Sequence, residues 1–257
     1  WLRESSFMAL SGLEKDDALY TGVLPTLLTM VTDEYHTQPR SRMLSHLKDA
    51  LKKKKRSSPA GQLILAGLKN VYHRRYMIRA QAAKALREVE AFDEIEKLLR
   101  DPDPRVRRAG LDGLIDYNYW FAIGRNPIKT EQFSADMLSA IKKILSGPEE
   151  SWWVVDGALM ALKHAPAQDI QACKSLILPW TKHSDWWLRE SSFMALSGLE
   201  KDGSLYVEIL PTLLTMVSEE YHTQPRSRML KHLKGALKSQ KRTSPAGQLI
   251  LAGLKDA

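Results

Sequence analysis

The pattern of large and small apolar residues repeats at helical spacing along the chain. Large residues occupy positions i and i+8 of four aligned segments, and small residues occupy i+3, i+4 and i+7, with Gln81 as the one misfit. The segments are Met77–Leu86, Arg105–Leu114, Trp153–Leu162 and Trp187–Leu196. Because these positions share one face of an α-helix, each segment is predicted to be a helix that packs through that face.

Glycine occurs at the small positions of these predicted helices. Gly110, Gly113 and Gly157 stand in mid-helix, where glycine costs roughly 1 kcal/mol relative to alanine. Something must offset that cost, and close approach of a neighbouring helix would do so. The glycines therefore predict tight helix–helix packing.

A second kind of helix alternates with the first. Its sequence LPTLLTMV occurs at Leu24–Val31 and Leu210–Val217. Other helices of this kind are predicted at Ile95–Asp101, Met137–Leu145 and Ser175–Trp180. Helices of the first kind also fit Met43–Leu51 and Met229–Leu237, and SPAGQLILAGLK follows each of them. A serine before Pro59 and before Pro245 is predicted to cap the next helix.

The chain contains a long duplication. Residues 1–71 and 187–257 align without a gap at an offset of 186, with 14 differences over 71 positions. One period of 186 residues accommodates five helix pairs of about 37 residues, which is typical of helical repeat arrays. The pattern predicts that the chain is one continuous array of about seven pairs, and that it begins and ends inside a larger array or is a shortened form of one.

The segment LRDPDPRVRRAGLDGL (Leu99–Leu114) resembles the HEAT repeat of the bilin-lyase-like kind. It has a helix, an Asp-Pro turn, Val-Arg and then a helix of Ala, Gly and Leu. LPTLLTMV with the helix after it resembles the generic HEAT unit. The resemblance implies an all-α, right-handed α-solenoid in which the second kind of helix lines a concave surface. It implies no activity, because such arrays are mostly scaffolds.

Composition restricts the class of protein. The chain has 257 residues and a formal net charge of +8, and no apolar run approaches the roughly 18 residues of a membrane span. Cys173 is the one cysteine, which excludes an internal disulfide and a cysteine-ligated zinc site. A single cysteine favours a reducing compartment such as the cytoplasm.

Positive charge is concentrated in two bands, one in each copy. Residues 37–79 hold 12 Lys and Arg with one acid, and residues 223–255 hold eight with none. The predicted binding residues of the bands are Arg40, Arg42, Lys48, Lys52, Lys55, Arg226, Arg228, Lys234 and Lys238. Such bands suit an acidic protein or a nucleic acid, or they are solvated helix surface. Between the two copies, Ser239 and Gln240 stand in place of Lys53 and Lys54, and Lys231 stands in place of Ser45. Because the positive charges change position between the copies, the pattern favours diffuse electrostatic attraction over a shaped binding site.

An insertion of aromatic and basic residues interrupts the array. Residues 116–130 read DYNYWFAIGRNPIKT. Insertions in repeat proteins emerge at one face and often bind partners, and aromatic residues beside arginine are typical interface anchors. The candidate binding residues in this loop are Tyr119, Trp120, Phe121 and Arg125. The alternative is a loop that folds back onto its own repeat.

Catalytic motifs are missing from the sequence. None of the seven histidines precedes a glutamate, and the HExxH, GxSxG, GxGxxG and Walker patterns do not occur. No catalytic residue, metal ligand or cofactor is predicted. Trp152 and Asp156, in SWWVVD, are faintly similar to the Trp-to-Asp spacing of HEAT-like alkylpurine DNA glycosylases. Asp156, however, aligns with Ala80, Arg108 and Glu190, so it is predicted to face solvent near a helix start.

These observations favour a non-enzymatic scaffold for protein–protein interaction. The alternative is a nucleic-acid-binding HEAT protein that is similar to an alkylpurine DNA glycosylase. A protein is the favoured partner, and an acidic protein or a nucleic acid could use the basic bands.

Overall fold

The computed structural model describes residues 2–34, 36–68, 76–115, 127–147 and 150–256. All regular secondary structure in these ranges is helical. In the first half the helices are α1 (Leu2–Ser11), α2 (Asp17–Asp33), α3 (Thr37–Lys53), α4 (Pro59–Leu68), α5 (Tyr76–Glu88), α6 (Phe92–Leu99) and α7 (Pro104–Ile115). In the second half they are α8 (Ala135–Ser146), α9 (Trp152–Leu162), α10 (Ala167–Ala172), α11 (Lys174–Ile177), α12 (Trp186–Ser197), α13 (Gly203–Glu219), α14 (Thr223–Ser239) and α15 (Pro245–Asp256).

The helices begin where the sequence supplies a cap. The Oγ of Ser58 accepts a hydrogen bond from the amide of Gly61 at 3.0 Å, and Ser244 repeats this cap in the second copy. A carboxylate oxygen of Asp16 accepts from two amides at the start of α2, both at 3.0 Å. These side chains satisfy amides that have no partner inside the helix. The predicted serine caps are thereby confirmed.

The chain divides into two compact units, residues 1–126 and 127–257. In the N-terminal unit, α1, α3, α5 and α7 contact one another in succession, and α2 packs on α4. In the C-terminal unit, α9, α12 and α14 form the corresponding succession, and α13 packs on α15. Contact between successive helices of the same kind is the packing that a repeat array requires.

Glycine permits the closest of these contacts, as predicted. A Cβ placed on Gly113 of α7 would lie 2.9 Å from the carbonyl oxygen of Ala83 on α5. A Cβ on Gly110 would lie 3.0 Å from the Cβ of Leu98 on α6. The aligned large positions Val106, Val154 and Leu188 have no exposed surface. The large–small pattern thus identifies the packed face of these helices.

Candidate protein-interaction surfaces

Helices α9 and α12 lie side by side and parallel. Ser191 of α12 donates a hydrogen bond from its hydroxyl to the carboxylate of Asp156 on α9. Seven residues further along both helices, a Cβ on Gly198 would lie 2.6 Å from the carbonyl oxygen of Lys163. The two contacts have the same separation along the chain, so the helices run in the same direction and share their N-terminal end.

The prediction that Asp156 faces solvent is wrong. Its exposed fraction is 2% because the next helix of the array covers it and supplies the hydroxyl of Ser191. The aligned Arg108 is also buried, and its Nε donates to Asp112 at 2.9 Å. This position therefore tolerates charge by pairing it inside the structure, as buried charges require.

Arg189 joins α12 to the end of α13. Its Nε and Nη2 donate to the two carboxylate oxygens of Glu220 at 2.8 and 2.9 Å, and its Nη1 donates to the carbonyl oxygens of His183 and Ser184. Burial alone would raise the pKa of Glu220, but the hydrogen bonds from Arg189 and from the amide of His222 outweigh it and hold the pKa below its ordinary value. This two-pronged contact fixes the turn before α14.

An aromatic patch surrounds this arginine. It consists of Trp186, Trp187, Tyr221 and His222. Tyr221 is 73% exposed, and its ring centroid lies 4.2 Å from that of His222 with the two planes tilted by 37°. Arg189 lies 5.3 Å from the centroid of Tyr221, within the range of a cation–π contact. The patch therefore presents rigid aromatic surface that is already held in position.

One further side chain contacts the aromatic patch, and an exposed tryptophan lies at the same end of the neighbouring helix α9. Arg228 of α14 lies 5.9 Å from the centroid of the Trp186 ring. Trp152 is 51% exposed at the N-terminal end of α9, which is the end at which α12 begins with Trp186. Trp, Tyr and Arg are the residue types most enriched among the energetically dominant contacts of protein interfaces. This arrangement can bind a protein surface without any catalytic group.

Of the five predicted binding residues of the first basic band, one is buried and three are paired with carboxylates. Arg40 has no exposed surface, and its Nη1 donates to the carbonyl oxygens of Thr32 and Glu34. The prediction that Arg40 offers its charge to a partner is therefore wrong. Lys48 pairs with Glu88 at 2.8 Å, and Lys52 lies 3.7 Å from the same carboxylate. The remaining predicted residues of this band are Arg42, which pairs with Glu4 at 2.9 Å, and Lys55, which is exposed.

The second basic band is more open. Arg228 donates to Glu190 at 2.6 Å, which repeats the contact of Arg42 with Glu4 in the first copy. Burial raises the pKa of Glu190 above its ordinary value, although the charge of Arg228 opposes the shift. Arg226 is partly exposed. Lys234 and Lys238 are exposed, so both contribute accessible positive charge to this band.

The loop prediction falls outside the described residues. The candidate binding residues Tyr119, Trp120, Phe121 and Arg125 all lie outside the described ranges.

Among the residues that are described, no group of His, Cys, Asp and Glu could hold a metal ion. No helix in the described ranges has the length and apolar character to cross a membrane.

Sequence reasoning missed the aromatic patch. The sequence segments SDWWLRESS and EYHTQPR contain the residues of the patch, but the two segments are separated by about 30 residues. The available signal was the adjacent pair Trp186 and Trp187 at a helix start, because tryptophan is enriched at protein interfaces. Sequence alone does not show that Tyr221 returns to the same place.

Comparison with known proteins supports the fold only. No family model matches the chain, and no curated protein matches it. The HEAT-repeat karyopherin Kap121p bound to Pho4p is similar in structure, with 13% sequence identity and a TM-score of 0.52 over 96% of this chain. Kap121p bound to Nup53p gives 12% identity, a TM-score of 0.51 and 97% coverage. This chain spans only 31% of Kap121p in both cases.

A weaker similarity involves the bilin-lyase-like kind of repeat. The complex of CpcE and CpcF of phycocyanin lyase from Nostoc shares 16% identity with 91% of this chain and 94% of its own length, with a TM-score of 0.43. A similarity at that TM-score gives no information about function. The similarity to Kap121p shows an all-helical fold similar to that of a HEAT-repeat protein.

Proposed function

We propose that the chain is a non-enzymatic protein-interaction scaffold built from HEAT-like repeats. The aromatic patch with Arg189 and Arg228 carries this proposal, because it combines exposed Tyr221 with arginines that are already held by Glu220 and Glu190. Preorganised aromatic and arginine side chains lose little conformational freedom on binding. Kap121p, with Pho4p and Nup53p bound, is a protein of similar fold that binds proteins.

The proposal includes the architecture predicted from the repeat. Residues 1–257 form one continuous right-handed solenoid of about seven helix pairs, and the second kind of helix lines its concave side. The alternation of two kinds of helix over the 186-residue period supports this arrangement. Small-angle scattering tests it, because a globule of this length has a radius of gyration of about 18 Å and an elongated solenoid exceeds that value.

The alternative is a nucleic-acid-binding HEAT protein of the alkylpurine-DNA-glycosylase kind. Two observations disfavour it. Asp156 is buried and accepts from Ser191, so its carboxylate is not presented to a substrate. In the first band, Lys48 and Arg42 are paired with Glu88 and Glu4, so these two side chains offer less uncompensated charge to a phosphate backbone.

The scaffold proposal is tested with a displayed peptide library panned on the immobilised chain. Peptides should be enriched, and their binding should be lost in the double variant Trp152→Ser, Tyr221→Ser. Leu19→Ser is the matched control, because Leu19 is a 55% exposed apolar side chain on α2 that is not one of the residues of the aromatic patch. If no peptide is enriched, or if both variants bind equally, the aromatic patch is not the binding surface and the proposal is refuted.

A further inference from the structure

The rings of the aromatic patch form one continuous run. Its four members follow one another in the order Trp187, Trp186, His222 and Tyr221, with neighbouring centroids 4.9, 6.1 and 4.2 Å apart. The planes of neighbouring rings are inclined by 55°, 49° and 37°, so no pair is stacked in parallel. Tyr221 is 73% exposed, and both tryptophans are partly exposed. The run therefore presents a ridged aromatic surface to solvent.

This surface lies where the neighbouring helices of the array are present. Helix α12, which begins with Trp186 and Trp187, contacts both α9 and α14. Tyr221 and His222 belong to the turn between α13 and α14, and the amide of His222 donates to the carboxylate of Glu220 at 3.0 Å. The exposure of these rings is therefore a property of the assembled repeats.

The two arginines of this surface are already neutralised. The carboxylate oxygens of Glu220 accept from Arg189 at 2.8 and 2.9 Å. Those of Glu190 lie 2.5 and 2.6 Å from the guanidinium nitrogens of Arg228. Because a carboxylate balances each arginine, neither guanidinium is free to select an acidic partner. The segment that complements this charge distribution is a neutral one.

The acceptors around Arg189 are used internally, whereas donors on the patch are free. Besides the carboxylate of Glu220, the carbonyl oxygens of His183 and Ser184 accept from the Nη1 of Arg189, both at 2.8 Å. The indole N–H groups of Trp186 and Trp187 have no acceptor among the described residues. A complementary segment therefore supplies carbonyl oxygens and apolar surface, and it needs few N–H groups of its own.

Proline-rich segments have this chemistry. Proline has an apolar ring and a carbonyl oxygen but no N–H group. In the polyproline II conformation the carbonyl groups make no internal hydrogen bonds and point to the surroundings. Aromatic surfaces bind such segments well because the segment is already extended and loses little conformational entropy.

We infer that the aromatic patch binds a neutral, proline-rich segment of a partner protein in the polyproline II conformation. This inference deepens the proposed scaffold function and rests on it. The rings of the patch pack against the proline rings, and the indole N–H groups of Trp186 and Trp187 donate to carbonyl oxygens of the segment.

The first test is the composition of the peptides that the chain selects. Peptides recovered from a displayed library, and lost in the variant Tyr221→Ser, should be enriched in proline and not in charged residues. Recovery of such patch-dependent peptides without enrichment of proline overturns the inference and leaves the scaffold proposal standing. Recovery of no peptide at all refutes the scaffold proposal, and the inference falls with it.

The second test uses acetylated, amidated decaproline as the probe in isothermal titration calorimetry. Decaproline should bind, and its dissociation constant should change less than about twofold between low and high salt, because screening acts only on uncompensated charge. An alternating glycine–serine peptide of the same length is the control. It is also neutral, but it is flexible and rich in N–H groups, so it should not bind.

Substitutions separate the ring from the donor. Tyr221→Ser removes an exposed ring and should weaken decaproline binding by about tenfold or more. Trp186→Phe keeps a ring but removes an N–H group and should weaken binding roughly two- to tenfold, the value of one hydrogen bond. Leu19→Ser should bind decaproline as the original chain does. If decaproline does not bind, if Tyr221→Ser or Trp186→Phe binds it unchanged, or if decalysine or decaglutamate binds more tightly, the inference is overturned.

Discussion

The close contact at Gly113 makes a small substitution informative. Gly113→Ala adds one methyl group, and that carbon would lie 2.9 Å from the carbonyl oxygen of Ala83 and 3.0 Å from its carbonyl carbon. The obstacle is the backbone of α5, which has no rotamer to change. Helices α5 and α7 must therefore separate, and the contacts along their interface weaken together.

The expected loss is the difference between two opposing effects. Alanine favours a helix interior by about 1 kcal/mol relative to glycine. Overpacking a close-packed interface costs about 1–3 kcal/mol. Because the clash is with backbone on a buried helix, overpacking should exceed the propensity gain, with a net loss of up to about 2 kcal/mol. Gly113→Leu brings a larger side chain to the same contact and should cost about 1–3 kcal/mol.

Urea denaturation followed by circular dichroism measures both variants. The matched control is Gly22→Ala in α2 of the same unit, where an added Cβ has no neighbour within 4 Å and the second copy already carries Glu208. That control should gain up to about 1 kcal/mol. If Gly113→Ala gains as much as Gly22→Ala, the close-packing explanation of the glycines is refuted.

Three further outcomes follow from buried polar groups, each measured by urea denaturation. Arg189→Ala leaves the buried carboxylate of Glu220 unpaired and should cost about 3–5 kcal/mol; a loss below 1 kcal/mol would contradict the role of the ion pair. Asp156→Ala removes the acceptor of the Ser191 hydroxyl and should cost about 1–3 kcal/mol, and an unchanged midpoint would show that the contact is dispensable. Burial, with the charges of Lys163 and Lys201, lowers the pKa of His164 to about 4. The unfolded chain therefore takes up a proton that the folded chain excludes, so stability should fall as the pH drops from about 6.5 towards 4, and His164→Gln should flatten that fall.

Helix positions and packed faces were predictable from the sequence, whereas ion pairing was not. The small positions around Gly113 predicted a close neighbouring helix, because periodicity reports which face of a helix is buried, and the structure shows that this neighbour is α5. Arg40 was assigned to an exposed band because its neighbours in sequence are basic, yet it lies in the core and donates to carbonyl oxygens. The pairing of Lys48 with Glu88 depends on how α5 is placed on α3, and charge counts along the sequence do not contain that information.

The duplication shows why exposure in a repeat protein is not a property of a helix alone. Residues 1–16 and 187–202 are identical in sequence, and both form a helix followed by a turn of 3₁₀ helix. Nevertheless Leu2 is 87% exposed, and its counterpart Leu188 has no exposed surface. The difference arises from α9, which packs on α12 in the C-terminal unit. Burial of a repeat residue is therefore set by the neighbouring repeat. For the same reason Asp156, which is predicted to face solvent from its own helix, is covered by Ser191 of the next helix.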